Sequence, residues 1–251
     1  MAAYVYAFRL QSRGISYPSR LIADYLLSGP LRGRNDASIR YRMRNISYVL
    51  HVRGRPTIRI YSPAPQVGSG VRTRIERILD SQSEQGLYDL SVRQGAPPIA
   101  ESQTVTSDQA RSNAIEKLRT LQSAIDDLEV ETGNLEPESE VPGIGHNNPP
   151  EQMDGPTLSR NDLRNTADVV EQLSREINSD APDENSIETK KNLLLQFGLK
   201  LSVWLGDRLT NFTDAALKTL APILVAKITG VLPHLIEAVE AIGRFLQALI
   251  N

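Results

Sequence analysis

Apolar positions along this chain recur mostly at helical spacing, with two short stretches that alternate instead. Ile39, Met43, Ile46 and Leu50 step by four, three and four residues, which is one face of an α-helix. Asn35 can cap its start and Gly54 ends it. Upstream, Leu21, Ile22, Tyr25 and Leu26 make a shorter helical face between Pro18-Ser19 and Gly29-Pro30. "AYVYAF" sets Tyr4, Tyr6 and Phe8 against Val5 and Ala7 and predicts a short strand; "PTIRIYSP", bounded by Pro56 and Pro63, predicts a second. "GVRTRIERILD" predicts a closing helix. Helix, loop, helix, strand and helix in this order is what a small winged-helix-like domain requires.

Beyond residue 80 the rhythm breaks. Residues 81–106 are rich in Ser, Gln, Gly and Pro and read as a linker. Within 107–132, Ala114, Leu118, Leu121, Ile125 and Leu128 alternate steps of four and three, the seam of a short coiled coil. Residues 133–158 are a Pro/Gly-rich second linker. The rest, 159–251, returns to helix. Leu163, Ala167, Val170, Leu173 and Ile177 form one seam, and Leu194, Phe197, Leu201, Trp204 and Leu205 another. A third collects Leu232, Leu235, Ile236, Val239, Ile242, Leu246 and Leu249, opposite Glu237, Glu240, Arg244 and Gln247. The expected fold is therefore mainly α with a small β component: a winged-helix-like head, a short coiled coil and a C-terminal helical bundle. Only residues 190–251 read as apolar enough for a sizeable core.

Charge changes the picture. The formal net charge is −2, yet residues 1–80 hold fourteen Arg, no Lys, three Asp and one Glu, an excess of ten positive charges. A basic head on an acidic body points to a polyanion as the head's partner. The cations concentrate in Arg32, Arg34, Arg40, Arg42, Arg44, Arg53 and Arg55, with Arg59 on the expected wing strand. A forked, permanently charged guanidinium grips phosphate with two donors or reads guanine O6 and N7, and Asn35 and Asn45 add amides that suit adenine. Because Ile39, Met43, Ile46 and Leu50 define the buried face, Arg40, Arg44 and Ser47 should lie off it. A merely solvated face is the competing explanation, but such faces mix Lys with acids and this one does not.

Here the residues also resemble a known family. "LRGRNDASIRYRMRNISYVL" followed by "GRPTIRIYSPAPQVGSGVRTRIERIL" is similar to the N-terminal, non-nuclease module of a group of bacterial HNH restriction endonucleases. Gly33, Arg34, Ser38, Ile39, Asn45, Ile46, Ser47, Val49 and Leu50 match its helix pattern, and Pro56, Ile58, Tyr61 and Pro63 its strand. The likeness covers about residues 20–80, and it departs where Arg40 and Arg42 replace the Glu and Lys of the pattern. It implies contact with double-stranded DNA, not cleavage.

Nothing in the sequence supplies a catalytic set, so no enzyme activity and no cofactor or metal is expected. With zero Cys there is no thiol nucleophile, disulfide framework or zinc-finger ligand set. The three histidines do not cluster: His51 ends the basic helix, His146 lies in "GIGHNNPPE", and His234 sits beside Pro233 at what reads as the start of the last helix, as a cap or surface residue. "GIGHNNPPE" resembles a short string in uncharacterised alphaproteobacterial and phage proteins that joins varied N-terminal parts to helical tails; it reads as a linker or docking motif. No secretory signal is expected in "MAAYVYAFRLQSR", and Lys218, Lys227 and Glu237 interrupt the most apolar region, so a cytoplasmic protein is expected. The overall expectation is a non-catalytic bacterial or phage DNA-binding protein, regulatory or defence-related. It would self-associate through the Leu232–Leu249 stripe as a dimer or larger. The competing expectation is a membrane-active helical effector, whose tail meets a bilayer surface and whose basic head senses nucleic acid or a partner.

Overall fold

The computed structural model describes residues 1–83, 106–133, 158–210 and 217–250, and the side chains of 1–80, 106–130, 158–206 and 227–250. The expected linkers at 81–106 and 133–158 fall almost wholly outside them, as do "GIGHNNPPE" and His146. Helices dominate, and no strand occurs among the described residues. The chain divides into two compact units, Met1–Gln109 with Gln247–Asn251 and Ala110–Leu246, so the first four helices fall in one and most of the next four in the other.

The first unit opens with a correction. "AYVYAF" is part of a helix, α1 (Ala2–Ser12), not a strand. Ala3, Tyr4, Val5, Tyr6, Ala7, Phe8 and Leu10 are all buried in it. A helix covered on nearly every side carries no one-sided stripe, so its Tyr-Val-Tyr order imitates strand alternation. Three alanines favour the helix. Gly14, at φ +70°, closes it: the Gly14 and Ile15 amides donate back to Gln11 and Leu10 carbonyls at 3.0 Å each. α2 (Leu21–Ser28) and α3 (Asp36–Val52) follow as the apolar spacing predicts. The Asn35 side chain accepts from the Ser38 amide at 2.8 Å, the expected N-cap. Ile39, Met43, Ile46 and Leu50 are buried together with Val49. Gly54, at φ +65°, ends α3 as Gly14 ends α1, with Arg55 N–H donating to Leu50 at 2.8 Å.

The second strand is also absent. Residues 56–63 form turns in which Ile58, Tyr61 and Ala64 are buried while Ile60 is 44 % exposed. Burial every third residue is incompatible with a two-residue strand period. Instead the segment is fastened to helices: Ala64 N–H donates to the Arg44 carbonyl at 3.1 Å, and Ile58 N–H to the Tyr4 hydroxyl at 3.1 Å. That hydroxyl also shares a 2.8 Å hydrogen bond with Ser47 Oγ. One buried node thereby joins α1, α3 and the loop. Without strands there is no wing, so Arg59 sits on a turn. α4 (Ser69–Ser83) completes the unit, burying Ile75 and Leu79. This unit has a full core of its own, contrary to the expectation that only residues 190–251 could build one. The missing signal is again α1, which is apolar throughout rather than amphipathic.

The second unit takes most of α5 (Ser107–Gly133), all of α6 (Arg160–Ile177) and α7 (Glu184–Thr210), and α8 (Leu217–Ile250) up to Leu246. The expected coiled-coil seam of α5 is fully buried, and its cover comes from the same unit. Glu129 of α5 pairs with Arg164 of α6 at 2.7 Å, and Lys117 of α5 with Glu237 of α8 at 3.3 Å. α6 starts in a capping box, Ser159 with Asp162, and Lys200 of α7 reaches the same carboxylate at 2.6 Å. Asp162 titrates below the ordinary carboxylate range: burial opposes this, but the Lys200 and Ser159 hydrogen bonds outweigh it. α8 runs unbroken through Pro233, so His234 is a half-buried mid-helix residue rather than a cap, and its Nδ1 has no partner. No helix among the described residues is long and apolar enough to cross a membrane.

Candidate nucleic-acid interface

The four carboxylates among residues 1–80 are each matched by an arginine. Asp24 pairs with Arg20 at 3.1 Å, Glu76 with Arg72 at 2.9 Å and Asp80 with Arg53 at 2.6 Å, while Asp36 pairs with Arg40. The hydrogen bond from Arg40, aided by the field of Arg20, holds Asp36 below the usual carboxylate range; Arg53 does the same for Asp80. With these four acids engaged, residues 1–80 still hold ten more arginines than acids.

All nine residues expected at a DNA surface are exposed. They are not equivalent. Asn35 is committed as the α3 cap through its Oδ1, so it is unsuited to pairing with a base. Arg40 and Arg53 are held by carboxylates. Arg44 donates from Nε to the Ser62 carbonyl at 3.2 Å and keeps its remaining guanidinium donors outward. Arg34, Arg42, Arg55 and Arg59 make no side-chain hydrogen bond or ion pair among the described residues. Arg32 lies on the exposed approach to α3.

Helical geometry sorts those on α3. At 3.6 residues per turn, Arg40 and Arg44 share one shoulder, and Arg42 lies about 160° from Arg40 on the other. Arg34 precedes the helix and Arg55 follows it. α3 is about 25 Å long at 1.5 Å per residue, so the cations span roughly one turn of B-form duplex. Two residues expected to be accessible are not. Asn45 is 3 % exposed and its Oδ1 has no partner, and Ser47 is fully buried against Tyr4. The buried arc of α3 is simply wider than its four apolar positions suggest, because α1 and the 56–64 loop both pack on it. Sequence reasoning passed over two residues as well. Arg20, at the start of α2, acts on the Asp36 carboxylate, a relation with no local signature. Tyr41 is 55 % exposed on the outer crest of α3, and its spacing from Ile39 and Met43 would have placed it there.

The expected association stripe has a different setting. Leu232, Leu235, Ile236, Val239, Ile242 and Leu246 are buried within the single chain, and Leu249 is half-buried. Trp204, expected in the seam with Leu194, Phe197, Leu201 and Leu205, is likewise buried at 8 % exposure. Among the described residues no three His, Cys, Asp or Glu side chains converge as a metal set would require. Comparison with protein-family models, curated proteins and solved structures finds no match for this chain.

Proposed function

We propose that this is a non-catalytic DNA-binding protein whose first helical unit contacts the phosphates of duplex DNA through α3 and the loops on either side of it. One observation carries the reading: residues 1–80 hold ten more arginines than acids and their four carboxylates are already paired, with Arg34, Arg42, Arg44, Arg55 and Arg59 exposed along one helix and its two flanks. Guanidinium groups left without internal counterions gain most from a polyanion, because binding releases the ions condensed on the phosphates. The likeness of residues 20–80 to the endonuclease module points the same way. One copy of the unit suffices for this contact. Any second copy would have to find surface outside the Leu232–Leu246 stripe, which the chain covers itself.

Binding of the full chain to a mixed-sequence duplex, followed by fluorescence anisotropy across a salt series, tests this. Neutralising about five phosphates gives a log–log slope of about −4 to −5. Replacing Arg34, Arg42 and Arg55 with Gln should weaken binding to every sequence alike and flatten the slope by roughly three units at most. A flat salt response, or a triple variant that binds as the parent does, removes the case for a nucleic-acid surface.

A further inference from the structure

Tyr41 is the one large aromatic side chain that the first unit leaves mostly in water among its described residues. Tyr4, Tyr6, Phe8 and Tyr61 are buried, and Tyr17, Tyr25 and Tyr48 are half-buried. Its place on α3 is specific. Long side chains on a helix lie back over the preceding turn. For Tyr41 that turn carries Ala37 and Ser38, both small and both exposed, so the ring meets no bulky neighbour there. Arg44 lies about 60° round the helix on one side, and Arg42 about 100° round on the other. Arg40 stands beside Arg44, but its charge is matched by Asp36, whose carboxylate opposes any phosphate brought to the first turn of α3. The uncompensated cations beside the ring are therefore Arg42 and Arg44. An open aromatic face between two guanidinium groups that no carboxylate neutralises, Arg44 giving only its Nε to the Ser62 carbonyl, is the arrangement that holds an unstacked base while gripping the backbone on each side of it.

We infer that Tyr41 is a stacking platform for an unpaired DNA base, with Arg42 and Arg44 on the flanking phosphates, so that the DNA preferred by this unit carries a single-stranded tail or another exposed base. The inference rests on the DNA-binding reading and narrows it to a class of substrate. A fully paired duplex offers its bases only as groove edges and leaves the Tyr41 ring without a π-face to cover.

The test compares the full-length protein on a blunt duplex and on the same duplex with a short single-stranded extension, at one fixed salt concentration. The tailed duplex should bind about tenfold more tightly, as stacking of one base on an aromatic side chain allows. Tyr41→Ala should collapse the ratio of the two affinities to about one, and Tyr41→Phe, which keeps the ring, should preserve it. Circular dichroism melting shows whether each variant is folded. Equal affinity of the parent for both duplexes, or a preference that survives Tyr41→Ala, overturns the inference while leaving duplex binding intact. Absence of binding to either duplex overturns both readings.

Discussion

Replacing Tyr4 with Phe should loosen the whole basic unit, because it removes one oxygen and strands two partners. The hydroxyl accepts from Ile58 N–H at 3.1 Å and shares a 2.8 Å hydrogen bond with Ser47 Oγ. Tyr4 and Ser47 are fully buried and Ile58 is 1 % exposed, so water cannot take the hydroxyl's place without a rearrangement. A buried donor left without an acceptor costs about 1–3 kcal/mol, and the lost Ser47 contact adds about 1 kcal/mol. The ring itself stays, so no cavity contribution enters beyond the oxygen. The expected total is about 2–4 kcal/mol, a large share of a small unit's stability. Ser47→Ala removes only one bond and should cost about 1 kcal/mol, and less when Tyr4 is already Phe. The sole Trp lies in the other helical unit, so fluorescence would miss this change. Amide hydrogen exchange within residues 1–80 reports it directly, and the Ile58 amide should lose the most protection. A Tyr4→Phe cost below about 0.5 kcal/mol, the scatter of neutral substitutions, would show that the node does not hold the loop to α1 and α3.

Two further outcomes are expected. Ile242 is fully buried by its own chain, so Ile242→Ala should cost the second unit about 2–5 kcal/mol, read from Trp204 fluorescence in urea. The loss should be independent of protein concentration; a midpoint that rises with concentration would return the stripe to an interface between copies. Alkaline pH should destabilise the first unit. Burial raises the Tyr4 and Tyr6 hydroxyls above their ordinary value and pushes Tyr17 up to about 12, with burial again the main cause. Groups raised on folding stabilise fully below the unfolded value near pH 10, and that stability falls as pH climbs from there toward 12. A melting temperature for residues 1–80 that stays level across that interval would contradict the burial of these tyrosines.

Much of the helical architecture was legible because amphipathic helices announce themselves. The α3 face, its Asn35 cap, its Gly54 end and the α5 to α8 seams all follow from spacing and capping chemistry. What misled was burial without asymmetry. α1 is covered on most sides, so its order of Tyr and Val carried no helical period, and six residues read as a strand. The 56–63 segment failed for another reason: Ile58 and Tyr61 anchor a loop onto neighbouring helices, and only the tertiary partners Tyr4, Gln11 and Arg44 reveal that. For the candidate interface, arginine density named the right region, but not which guanidinium groups are free. The pairing of Arg53 with Asp80, twenty-seven residues away, and the capping role of Asn35 are matters of folded geometry.

The absence of lysine from residues 1–80 has a regulatory consequence. All six lysines lie from Lys117 onward. Guanidinium stays protonated past pH 12, so the head's charge cannot be tuned by cellular acidity. Acylation of lysine amines, a common means of releasing proteins from DNA, has no target within the basic unit. Any control over its grip on a polyanion has to come from outside the cations themselves, through competing anions, arginine-directed chemistry or salt. Conversely, an amine-reactive label on lysine would decorate only residues from Lys117 onward and leave the arginine surface unmodified.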